Sequence, residues 1–268
     1  MPIAFSLRLK PARPWRPDTA QLHGLVCALF EQPTSDHNGH DKPFAAWPLA
    51  QDPTDPHTGL LLRCAWLHDQ PPPSDPRTTR TLRLGNTTCT VVAVEHHRAA
   101  CAELASGPPA TAATMTFRSP TCFARNGEHT VDPAPRLIVG GWRRRWNQAL
   151  AVGSALGIDD ELWRQLHQRL RLGAYELSTA EMDSGHGFPR LGFVGVAELR
   201  LQRGAPLPVR SAFATLARFA PYCGTGAQAT HGFGATTSSL GAASTSRVTV
   251  SQGESLAPAF AQQARPDA

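Results

Sequence analysis

The feature that most constrains this chain is an order of elements that runs through it twice. Apolar residues alternate at Ile3, Phe5, Leu7 and Leu9, which predicts a half-buried strand. A helix follows from Pro17-Asp18, with Leu22, Leu25, Val26, Leu29 and Phe30 at helical spacing, and Pro33 ends it. Residues 44–50 and 59–67 read as two strands, and 81–97 as one long strand or a hairpin. The proline-rich stretch 70–80 stands where a second helix would be expected. SGPPATA (106–112) reads as a linker. Beyond it the order restarts with a strand at 114–123 and a helix from Leu137, weakened at Gly140-Gly141. A second helix at 158–171, strands at 174–182 and 190–202, and an amphipathic helix at 207–219 complete it. The repeat lies in element order, not in residues. It predicts an α+β fold of two tandem ferredoxin-like domains, 1–106 and 112–240. A tail, 241–268, is poor in aromatic residues and reads as flexible, with 246–251 as a candidate short strand.

The chain's 268 residues suffice for two small domains. It has no apolar run of about 18 residues, so no transmembrane helix is expected. The N-terminus carries charges inside an alternating pattern and reads as a strand rather than a signal peptide, which predicts a cytoplasmic protein without a membrane partner. The six cysteines form no CxxC pair and read as reduced core residues. Neither a structural metal nor a cofactor is predicted. Net charge is +5, and of the 26 basic residues only Lys10 and Lys42 are lysines. Arginine's planar fork suits phosphate recognition, so the excess is compatible with a nucleic-acid partner.

A late run, YCGTGAQATHGFG, places Gly224, Gly226, Gly232 and Gly234 in a G-x-G-x5-G-x-G pattern. A dinucleotide fingerprint would follow a strand and open a helix; here the glycines follow a helix, and no Walker motif is present. Two readings stand beside a nucleotide site. One is a plain connecting loop. The other is a loop whose backbone N–H groups approach the phosphates of a polymer.

The run Ala220–Gly234 resembles the C-terminal signature of the repeat-processing endoribonucleases of CRISPR systems, members of a superfamily built from two RRM-like, ferredoxin-like folds. Three further stretches resemble that family in the same order: Gly39–Leu49 after the first helix, Phe117–Phe123 opening the second domain, and Leu137–Asn147 ending in Trp-Asn. The resemblance spans roughly residues 1–240. It departs at Gln228, where the family often carries a basic residue.

The resemblance implies metal-independent cleavage of CRISPR repeat RNA, in which a ribose 2′-OH attacks the adjacent phosphate and leaves a 2′,3′-cyclic phosphate. CRISPR repeat RNA is the implied partner, with other effector subunits as further partners. The chemistry needs proton-transfer groups and a cation at the phosphorane. The family's catalytic histidine lies in or after the first helix. Here that points to His37 and His40 with Lys42, His37 being preferred, although a turn-rich loop also suits solvated histidines. Arg143, Arg144, Arg145, Gly224, Gly226, Gln228, His231, Gly232 and Gly234 are the implied RNA-binding residues. Trp142 and Trp146 share a helix face and read as core. His96-His97 read as a solvated strand end, and His186 lies in a turn able to reach RNA. Two other readings stay open: a non-catalytic guide-RNA-binding subunit of the same superfamily, and an unrelated protein with a small-molecule site.

Overall fold

The structure, a computed structural model, describes residues 1–13, 19–31, 42–125, 128–183 and 189–241. The segment carrying His37 and His40, the turn carrying His186, and the tail from 242 onward lie outside the described residues. No helix among the described residues is long and apolar enough to cross a membrane.

In the first half, β1 (Ile3–Pro11) leads to α1 (Thr19–Phe30), then β2 (Phe44–Ala46), β3 (Ala50–Asp52) and β4 (Asp55–Trp66). A hairpin of β5 (Thr81–Leu84) and β6 (Thr87–Arg98) and a short helix, α2 (Cys101–Ser106), complete it. The antiparallel sheet runs β2-β4-β1-β6-β5, with β3 on the flank of β4. Alternation does what the sequence promised. Ile3, Phe5, Leu7 and Leu9 all turn to one face and pack on Leu22, Leu25, Val26, Leu29 and Phe30 of α1. The proline-rich stretch holds only a 3-10 turn at Pro76–Thr78. The second helical layer of this half is therefore missing, as the prolines require.

In the second half, β7 (Ala112–Thr121), the small hairpin β8 (Phe123–Arg125) and β9 (Glu128–Thr130), α3 (Pro135–Ala149) and α4 (Asp160–Arg169) come first. β10 (Leu170–Asp183), β11 (Pro189–Leu201), α5 (Leu207–Cys223) and β12 (Thr236–Gly241) follow. Strand order β10-β11-β7-β12 is the ferredoxin-like arrangement, so the fold is two tandem ferredoxin-like units. Asp159 caps α4 by accepting from the Leu162 N–H at 2.7 Å. Trp142 and Trp146 are fully buried, as their shared helix face implied. All six cysteines are buried free thiols.

Two local expectations are corrected, and two elements are added. The predicted strand 44–50 is two short strands, β2 and β3, because Pro48 interrupts the pairing with β4. Helix α2, an element the sequence reading did not assign, stands just before the linker and packs on α5. Helix α5 continues a full turn past 219, through Pro221. The carbonyl that Pro221 cannot bond, Ala217 O, accepts from the Ser238 hydroxyl at 2.7 Å instead. Lastly, β12 has almost no apolar residue to announce it; it forms because β7 offers an unpaired backbone edge.

The halves share apolar packing. Ala4 and Ala65, on the sheet face opposite α1, join Leu104, Leu216 and Phe219 in the second half's core. The Arg218 guanidinium donates to Leu104 O at 3.2 Å and to Pro108 O.

Candidate functional site

The glycine loop between α5 and β12 is a built object. Its four glycines, Gly224, Gly226, Gly232 and Gly234, all have positive φ. At Gly234 a Cβ would collide with the Thr225 carbonyl, because the loop crosses itself there: Thr225 N–H donates to Gly234 O at 2.8 Å. At Gly232 a Cβ would meet Leu22 of α1 at 3.0 Å and the Pro48 backbone at 3.2 Å. The Gly234 N–H donates to Pro120 O at 3.0 Å and the Ala227 N–H to Cys122 O at 2.8 Å. The N–H groups of Gly224, Thr225, Ala227, His231 and Gly234 therefore close the loop on the protein. The expectation that the loop lays its backbone N–H groups broadly on phosphates is narrowed accordingly.

Side chains from each resemblance stretch hold this loop. Ser119 of β7 donates to Gly232 O at 2.7 Å and accepts from the Ala235 N–H at 2.8 Å. The Trp142 indole of α3 donates to Thr225 Oγ1 at 3.0 Å. Pro48, from the stretch after the first helix, abuts Gly232. The four stretches are far apart in sequence and meet at one place.

That place is the seam between the halves. His23 of α1 stacks on His231, ring centroids 3.9 Å apart and planes within 7°. His23 Nδ1 lies 3.4 Å from Thr230 O. A carbonyl only accepts, so Nδ1 carries the proton, and Nε2 lies 3.4 Å from Cys27 Sγ. Burial first, then Glu31, pushes the Cys27 thiol up to about 12, so it stays a donor. His23, Cys27 and Glu31 fall four residues apart and form a polar stripe beside the apolar face of α1. Sequence reading passed over this stripe, though its spacing was there to be seen.

Lys42 pairs with Glu31 at 2.5 Å, and both side chains are nearly buried, at 9% and 5% exposure. The pair ties the two ends of the segment that holds His37 and His40. The cation implied for the phosphorane is thus anchored by a carboxylate at the foot of that segment. Beside it, a hollow of about 230 Å³ between the halves is lined by Lys42, Pro43, Leu67, His68, Arg145 and Gln148. Burial, then the N-terminal ammonium, holds His68 below the usual histidine range.

The three consecutive arginines of α3 point three ways, as 100° steps demand. Arg143 donates to Ile158 O at 2.9 Å, pairs with Asp160 at 2.7 Å and lies over the Trp163 ring. Arg145 donates to Cys223 O at 2.6 Å, binding the end of α5 just before the glycine loop. Arg144 is exposed. Gln228 is the one non-glycine residue among those described with positive φ, 55°. Its Oε1 is buried and accepts no hydrogen bond from the described residues. His96 is exposed and His97 half-buried at the end of β6. The geometry therefore gathers His231, Gln228, Lys42, Arg145 and the glycines along one seam, and adds His23, Glu31 and His68.

Residues 115–236 match the family model of the CRISPR-associated endoribonuclease Cas6. That stretch carries the Cas6 family pattern. The match runs from within β7 to the start of β12, including Ser119, Trp142 and the whole glycine loop that they hold. Among solved structures, Thermus thermophilus Cas6 is 25% identical, covering 89% of this chain and 98% of its own, with a TM-score of 0.63. A Cas6 in a product complex is 24% identical over 89% of this chain and 100% of its own, with a TM-score of 0.74. A second Cas6 product complex is 23% identical over 88% and 99%, with a TM-score of 0.69. These likenesses extend the Cas6 fold across both halves. No curated protein matches the chain.

Proposed function

We propose that this chain is an endoribonuclease that cuts CRISPR repeat RNA into guide RNAs, without a metal, by 2′-OH attack that leaves a 2′,3′-cyclic phosphate. The observation that carries this reading is the seam. A glycine loop belonging to the Cas6-matched half is locked against α1, and α1 ends at the Glu31–Lys42 pair that brackets His37 and His40. One of these histidines takes the 2′-proton or returns one to the leaving 5′-oxygen, a task suited to a group that titrates near neutrality. The hollow beside the Glu31–Lys42 pair presents Arg145 and Lys42 to the phosphate, whose charge grows in the phosphorane. Gln228 Oε1, buried and accepting nothing from the described residues, is satisfied by a donor from the RNA, either a ribose hydroxyl or a base amine.

The test is cleavage of labelled repeat RNA in EDTA by wild type, His37→Ala and His40→Ala, with a substrate carrying one 2′-deoxy ribose at the cut. Cutting that survives EDTA, and is abolished by the deoxy substitution and by one alanine variant, is the expected result. Tight binding with no cutting by wild type would replace the enzyme with a guide-RNA-holding subunit. A chain that neither binds nor cuts repeat RNA would overturn the proposal.

A further inference from the structure

A second hollow lies along α3, next to the interdomain one. It measures about 420 Å³ and is lined by Gly140, Arg143, Arg144, Asn147, Gln148 and Trp163. Its floor is the half-buried indole of Trp163 on α4, reached because residue 140 is glycine: a Cβ there would stand 3.3 Å from that ring. The Arg143 guanidinium lies 5.6 Å from the ring centroid, and the exposed Arg144 stands at the rim. Gln148, at the end of α3, lines both hollows. The two are therefore neighbours on one surface rather than separate sites.

We propose that this hollow is a single-stranded RNA subsite, in which one base stacks on Trp163 and its phosphate meets Arg144. The proposal rests on the RNA-processing reading and extends it to the unpaired strand beyond the interdomain hollow. A sequence-tolerant single-strand site needs an aromatic face and a cation within one nucleotide's reach, and both are present. The volume admits a base. Arg143 contributes a second planar face and charge. Its ion pair with Asp160 does not bar entry, because Asp160 is 98% exposed and such pairs are weakly held. The other acidic groups of this end of α4 are engaged, since Asp159 caps the helix and Glu161 pairs with Arg164. His167 lies beside Trp163, ring centroids 5.3 Å apart, and its Nδ1 bonds back to the Trp163 carbonyl within α4. Gly140-Gly141, a weakness in a helix by propensity alone, acquires a purpose: the first glycine leaves the ring open to a ligand.

The experiment measures binding of a fluorescent oligouridylate to the full chain, wild type against Trp163→Leu and Arg144→Ala, over a salt series. Loss of one stacked base weakens binding by about five-fold or more. Loss of one phosphate contact lowers the slope of log affinity against log salt by about 0.7. Arg144 is exposed, so its variant reports even if Trp163→Leu fails to fold, which circular dichroism reveals. Affinity and salt slope unchanged in Arg144→Ala would overturn the subsite. If those variants are unaltered while wild type still cuts repeat RNA, the subsite falls and the function stands. If wild type binds neither oligouridylate nor repeat RNA, both fall.

Discussion

His23 lies flat on His231, ring centroids 3.9 Å apart, although 207 residues of chain separate the neighbouring contact of His23 with Thr230. The stack joins the first helix of one ferredoxin-like unit to the glycine loop of the other. It makes the loop part of the seam between the halves, and so part of what sets their relative position.

Replacing His23 with alanine removes the stack, the contact with Thr230 O and one neighbour of the Cys27 thiol. The expected loss is about 1–2 kcal/mol, combining ring stacking with one hydrogen bond. In a chain of this size that lowers the melting temperature by about 2–8 °C. Calorimetry checks the shift. An unchanged melting temperature would mean that the stack does not couple the halves.

Gly234→Ala places a methyl group against the Thr225 carbonyl at a positive φ of 65°. The loop must open where it crosses itself, and the expected cost is at least about 2 kcal/mol. Urea midpoints compare it with Gly241→Ala, where a Cβ meets nothing within 4 Å. Equal midpoints would contradict the tight crossing.

Gln228→Gly should behave in the opposite sense. It relieves the only positive φ outside glycine among the described residues and removes a buried oxygen that accepts no bond from them. The protein is expected to hold or raise its stability by about 0.5–1 kcal/mol. If Oε1 accepts from RNA, repeat affinity falls at the same time. A variant that is both more stable and equally tight for RNA would remove Gln228 from the binding surface.

Breaking the Glu31–Lys42 pair from one side strands the other charge in a nearly buried place. Lys42→Met alone is expected to cost about 3–5 kcal/mol, and the double variant Glu31→Gln, Lys42→Met less than the sum of its parts. The same double variant separates structure from chemistry. If it folds and still cuts, Lys42 anchors the histidine segment and is not the phosphorane cation.

His68 and His129 both sit below the usual histidine range, His68 by burial and the N-terminal ammonium, His129 by burial and Arg190. Each is held neutral in the fold, so the unfolded chain takes up protons first as pH falls. Stability should therefore be full above about pH 6.5 and decline below it, toward the lowered folded values. Thermal scans from pH 7.5 to 5 read this, and His68→Asn should flatten part of the decline. A decline that is just as steep in His68→Asn would place the acid sensitivity elsewhere.

Much of the fold was legible because local chemistry decides it. Alternation at Ile3–Leu9, helical spacing at Leu22–Phe30, and the Asp159 cap each act within a few residues. The element order they predict carried the tandem arrangement, and the prolines of 70–80 correctly removed a helix. What failed was set by partners. β12 exists because β7 has a free edge, and α5 passes Pro221 because Ser238 supplies the bond the proline cannot. Neither signal lies in the affected residues.

The same division runs through the site. The sequence by itself determined the glycine pattern, the buried tryptophans, and a polar segment with two histidines and a lysine after α1. Those are properties of residue type and spacing. Only the tertiary structure decided that Ser119, Trp142 and Pro48 hold the loop, that His231 stacks on His23, and that Lys42 is held by Glu31. The physical reason is that these contacts depend on where two separately folded sheets bring their surfaces together. That position is fixed by shared packing of Ala4, Ala65, Leu104 and Phe219, residues whose small or apolar side chains give no hint of which partner they will meet.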